Sequence, residues 1–203
     1  MTKDNLSKTK RLTGISILIA IIVILQFISA TIKFGSFTIT LALVPIVIGA
    51  ALYGMTAGAV FGFAFGIVVL INCIIAVDPV GNILWLANPF LTALLCLLKG
   101  AAAGFCAGFV YKLAAKKNKY AGVISATIIC PIVNTSILIA GLVLFYHDIF
   151  VEWAAGTNLF YFAIIGMTGF NFLLEIGTNI VLSPTIAKII NIEKEFKTHR
   201  RSL

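Results

Sequence analysis

The chain has 203 residues, 61% of them apolar and 11% charged, with a formal net charge of +8. A soluble domain is about half apolar and about a quarter charged, so lipid must be the solvent for much of this surface, and no appended soluble domain is expected. The cations sit in short clusters beside apolar runs rather than on one folded face, which excludes a nucleic-acid footprint.

Residues 1–11 (MTKDNLSKTKR) form a polar, basic arm. Leu12–Ala30 is the first apolar run. A spanning helix needs about 20 mostly apolar residues, and this run is too long for the h-region of a cleaved leader. It is expected to be retained as a span. Its small residues Ser16 and Ala20 lie four apart on one helix face. Thr31–Thr38 reads as a short loop carrying Lys33.

Thr40–Leu52 is a short second helix, and Pro45 in its middle predicts a kink. A minimal turn at Tyr53-Gly54 leads to a third helix over Met55–Ile75. Gly54, Gly58, Gly62 and Gly66 recur at every fourth position along it. Such a stripe lets two helix backbones approach closely in lipid, where no hydrophobic force joins them. Gly100, Gly104 and Gly108 make a matching stripe on the fourth helix. The stripes are either packing seams within the bundle or a docking surface for another protein.

Ala76–Asn88 is expected to be a loop, with Asp78-Pro79 and Val80-Gly81-Asn82 as turn signals. Pro89 suits the first position of the fourth helix, which runs to about Leu113. Ala114–Lys119 is a compact basic loop, and Tyr120–Phe145 is the fifth helix, with Pro131 inside. His147–Leu159 reads as a polar loop, Phe160–Ile190 as a long sixth helix, and Asn191–Leu203 as a basic tail. The expected fold is an all-α integral membrane protein, a six-helix bundle over residues 12–190.

Lysines and arginines crowd the arm (Lys3, Lys8, Lys10, Arg11), the loop after the fourth helix (Lys112, Lys116, Lys117, Lys119) and the tail. With six spans these fall on one side, which the positive-inside rule makes cytoplasmic, so both termini are expected inside. Trp85 and Trp153 then lie at the outer interface.

Two charges fall inside spans: Lys99 in the fourth and Glu175 in the sixth. An intramembrane charge costs about 2.5–3.5 kcal/mol on insertion scales and normally faces the bundle interior with a partner. Lys99 and Glu175 either pair with each other or contact a polar ligand. Asn171, Glu175 and Asn179 share one helix face; Asn88 opens the fourth helix; Asn134 follows Pro131; Asn72 lies near the end of the third. These groups are expected to converge in the outer half as a pocket for a small polar molecule. Cys73, Cys96, Cys106 and Cys130 lie inside apolar helices with no CxxC pairing, so neither a metal site nor a disulfide framework is expected. No phosphate-binding loop or hydrolase motif occurs, so no enzyme, cofactor or self-powered ATP step is expected.

The segments TITLALVPIVIGAALYGMTAGAVFGFAFGIV, ANPFLTALLCLLKGAAAGFCAGFVYKL and PIVNTSILIAGLVLF, with the basic arm and the span pattern, resemble the substrate-binding S components of energy-coupling-factor (ECF) vitamin transporters. The resemblance covers nearly the whole chain. It implies a subunit, multi-pass in a bacterial plasma membrane, that captures a vitamin from outside. It implies partners as well: a transmembrane coupling protein and two ATPases. It places a docking face at Ser16 and Ala20, and a substrate pocket for which Trp85, Asn88, Lys99, Asn134, Trp153, Asn171 and Glu175 are the candidates. Lys99 offers a cation to a carboxylate, which favours an acidic vitamin of the pantothenate type. A self-sufficient secondary transporter and a membrane scaffold remain as other classes.

Overall fold

The computed structural model describes residues 3–31, 33–34, 37–38, 40–158, 161–162, 176–184, 186–188 and 190. The first helix, α1 (Lys3–Thr31), takes in most of the basic arm as well as the apolar run. The loop expected after it contains one antiparallel rung, β1 (Lys33–Phe34) against β2 (Phe37–Thr38). Then come α2 (Leu43–Tyr53), α3 (Met55–Ile74), α4 (Pro79–Ala87), α5 (Pro89–Ala114), α6 (Lys119–Phe145) and α7 (His147–Ala154). Residues 176–184 and 186–188 are helical again.

Among the described residues, the long apolar helices are Arg11–Ser29 within α1, α3, α5 and α6, and each is long and apolar enough to cross a membrane. α2 is not. Its 11 residues rise about 16 Å, half of a hydrocarbon core of about 30 Å. It is nonetheless buried on most sides, with Leu43, Ile46 and Val47 fully covered. It is a half-length wedge inside the bundle.

Three local expectations are corrected. The second helix starts at Leu43 rather than Thr40, which puts Pro45 in its first turn. An N–H there has no intrahelical acceptor to lose, so proline fits without a kink. The expected loop over Ala76–Asn88 is mostly α4. Asp78 is its N-cap, the side chain accepting from the Gly81 N–H at 3.1 Å, and Pro79 is its first residue. Asp-Pro here is a helix start, not a turn. The expected loop after His147 is mostly α7, whose Phe150 and Ala154 lie four apart and are buried.

The glycine stripes meet each other. α3 and α5 run antiparallel, with Gly58 against Gly104, Gly62 against Gly100 and Gly66 against Cys96. A Cβ added at Gly66 would lie 2.6 Å from the Cys96 carbonyl oxygen, and one at Gly108 would lie 2.8 Å from the Met55 Cα. Backbone touches backbone along this seam, so the stripes are packing surfaces and leave no face for another protein. Gly54 is not part of the seam. It is the joint between α2 and α3, at φ 95°, and among the described residues nothing lies within 4 Å of a Cβ added there. A left-handed φ favours glycine because a side chain there meets its own backbone.

The main core collects Ile22 of α1, Ile46 of α2, Phe61 of α3, Ala103 of α5, Cys130 of α6 and Ile186 of the last helical stretch. A second, smaller cluster at one end joins Leu84, Leu142, Tyr146 and Phe150.

Candidate functional site

Close packing of α5 on α6 fixes the depth of each candidate. Gly141 meets Leu95, Gly122 meets Ala115, and Tyr146 bonds to Thr92. In that antiparallel register Asn134 stands level with about Ala103. It is therefore about 6 Å from Lys99 along the axis, toward the Ala114 end, at about 1.5 Å per residue. The α3–α5 seam puts Asn72 level with about Phe90, some 13 Å from Lys99 toward the Pro89 end. Among the described residues, Asn72 and Asn134 thus lie at different depths, about 20 Å apart along the bundle axis.

Lys99 is half-buried near the middle of α5. Among the described residues no carboxylate forms an ion pair with it. No disulfide joins the four cysteines, and Cys73, Cys96 and Cys130 are buried as the core reading requires. Asn171 and Glu175 lie outside the described residues, as does any contact between Glu175 and Lys99.

Asn88 has a local task. It is the N-cap of α5, its Oδ1 accepting from the Leu91 N–H at 3.1 Å. Asn134 is buried, and its Oδ1 has no hydrogen-bond partner among the described residues. The same holds for both polar atoms of Asn72, for Nδ2 of Asn179 and for Oε1 of Gln26. A buried polar atom left unpaired costs about 1–3 kcal/mol, so amides of this kind mark places where stability has been given up. Trp85, half-buried on α4, packs on the main core, and Trp153, on α7, packs on the smaller cluster. Ser16 and Ala20 are both exposed on α1.

The sequence reading missed Thr92 and Tyr146. Tyr146 is only 4% exposed, and its hydroxyl donates to the Asn88 carbonyl at 2.9 Å. A tyrosine at the end of an apolar run is ordinary in a membrane protein, so nothing in the sequence set it apart. Gln26 also passed unnoticed, although an amide inside the first apolar run was a usable signal.

Residues 10–187 match the family model described as ECF transporter, substrate-specific component. The fold is similar to that of ThiT from Listeria monocytogenes, with a TM-score of 0.61 and 19% identity over 93% of this chain and 97% of that one. No curated protein matches.

Proposed function

We infer the activity from one premise: the chain belongs to the ECF transporter substrate-specific component family. It is a multi-pass membrane protein whose family binds substrate for a transporter rather than catalysing a reaction. Beyond that premise, the chain captures a water-soluble vitamin from outside a bacterial cell. It then passes the vitamin through a complex with a transmembrane coupling protein and two ATPases. Counting half-length α2 together with the residues that flank it as the second crossing, the bundle has six spans with both termini inside, in keeping with the lysine and arginine clusters of arm, α5–α6 turn and tail. Exposed Ser16 and Ala20 belong to the face that docks on the coupling protein.

The vitamin is an acid of the pantothenate type. The observation that carries this is Lys99: a half-buried cation at mid-helix, without a carboxylate partner among the described residues. A charge in that setting normally has a counter-charge, and a ligand carboxylate supplies one. Asn134 offers an amide nearby, Asn88, Trp85 and Trp153 border the site, and Asn171 and Glu175 receive polar groups of the ligand.

Binding of radiolabelled pantothenate to the purified protein tests the assignment. Lys99→Met should weaken it by roughly 30- to several-thousand-fold, the equivalent of about 2–5 kcal/mol for a buried charge pair losing one partner. Glu175→Gln should do less. If Lys99 and Glu175 only pair with each other, both single variants lose folded protein and the double variant recovers it. A stable Lys99→Met protein that binds normally would remove the carboxylate role.

A further inference from the structure

Two helix breaks lie at the same end of the bundle. α4 gives way to α5 at Asn88, and α6 gives way to α7 at Tyr146. The Tyr146 hydroxyl bridges them. It lies 2.9 Å from the Asn88 carbonyl oxygen and 2.6 Å from the Thr92 hydroxyl. Thr92 Oγ1 lies 2.9 Å from the same carbonyl. Two hydroxyl protons are therefore shared among three short contacts that link three oxygens. Thr92 is 1% exposed, so water does not compete for these bonds.

We propose that this hydroxyl latch joins α4 and α7 into one cap that opens as a single unit. Neither helix, at 9 and 8 residues, is long enough to be stable alone. Each is held by the apolar cluster they share, in which Leu84 of α4 and Phe150 of α7 are buried together with Leu142 and Tyr146. Lifting one helix strips the apolar face of the other, which is the condition for cooperative local opening. The cluster is distinct from the main core, which α4 also reaches through Trp85; opening of the cap withdraws Trp85 while the backbone contacts of the α3–α5 seam stay closed.

The protein carries its own reporter of this motion. Cys73 lies beneath α4: the Asn82 side-chain amide donates to its carbonyl at 2.8 Å, and Gly81 sits against its sulfur. Its exposure is 2%, so a water-soluble maleimide reaches it only when α4 lifts. Tyr146 lies between α6 and α7, at the other break. The consequence for transport, which rests on the reading of Lys99 above, is that a ligand reaching Lys99 from the Pro89 end waits on one opening event. Cap opening is measured without ligand, so it can fail independently of that reading.

The test uses the whole protein in detergent, with maleimide labelling located by peptide mass spectrometry. Amide hydrogen exchange is followed over 79–87 and 147–154. Tyr146→Phe removes one oxygen and leaves the ring. The net worth of a hydrogen bond, about 0.5–1.5 kcal/mol, corresponds to roughly 2- to 12-fold faster opening. Cys73 labelling and exchange in both segments should rise by that common factor, while Cys130 in the main core stays unlabelled. Faster exchange in 147–154 with Cys73 labelling unchanged would refute the latch. Should Cys130 also react, Tyr146→Phe has unfolded the bundle, and Thr92→Val is read by the same criterion. Wild-type labelling of Cys73 in a folded Thr92→Val protein would equally overturn the coupling.

Discussion

Gly62→Ala places one methyl group where α3 and α5 have no room for it. The added carbon would overlap the Gly100 carbonyl, lying 2.6 Å from its carbon and 3.2 Å from the Ala101 Cα. These are backbone atoms, so no side chain can swing aside and the helices themselves must separate. Overpacking of a closed interface costs about 1–3 kcal/mol, and rigid backbone neighbours place this site near the upper figure. Alanine recovers up to about 1 kcal/mol over glycine in a helix, leaving a net loss of about 2 kcal/mol. At roughly 2–4 °C per kcal/mol for a chain of this length, Tm should fall by about 4–8 °C. Gly177→Ala is the control, because among the described residues nothing lies within 4 Å of a Cβ there; it should hold or raise Tm. Combining Gly62→Ala with Gly100→Ala should cost less than the two separate losses added together, since helices already parted by the first methyl have room for the second. Thermal unfolding in detergent, followed by thiol-reactive dye or circular dichroism, reads all four proteins. A Gly62→Ala protein as stable as Gly177→Ala would show that α3 and α5 are not in backbone contact.

Ala20→Trp alters an exposed position on α1. It should leave the isolated protein folded while blocking assembly with the coupling protein and uptake; unchanged assembly would move the docking face elsewhere. Cysteine labels introduced around Trp153 should react from outside intact cells, and labels near Lys117 only after permeabilisation; the reverse pattern would invert the orientation. Asp78→Ala removes the bond to the Gly81 N–H and should cost about 1 kcal/mol. It is seen as faster hydrogen exchange in α4 but not in α6, and equal protection in wild type and variant would deny the cap.

Length, composition and periodicity determined much of this protein before any contact was known. Long apolar runs can satisfy their backbone groups in lipid only as helices, so α1, α3, α5 and α6 lie near where their runs place them. The spacing of Gly58, Gly62 and Gly66, answered by Gly100 and Gly104, announced a seam because four-residue spacing keeps to one face of a helix. Which stripe meets which, and in what register, came only from packing. So did the depth of Asn134 relative to Lys99, because axial register depends on how two helices interlock and not on either alone. The short helices α4 and α7 were legible only in part. Asp78-Pro79 serves a turn and a helix start equally well, and two turns of helix become stable only once Leu84 and Phe150 share a cluster. Tyr146 is more than fifty positions from Thr92 and Asn88 in sequence yet meets them within 2.6–2.9 Å. A bond of that kind leaves no periodic trace along the chain, since the fold alone brings its two ends together.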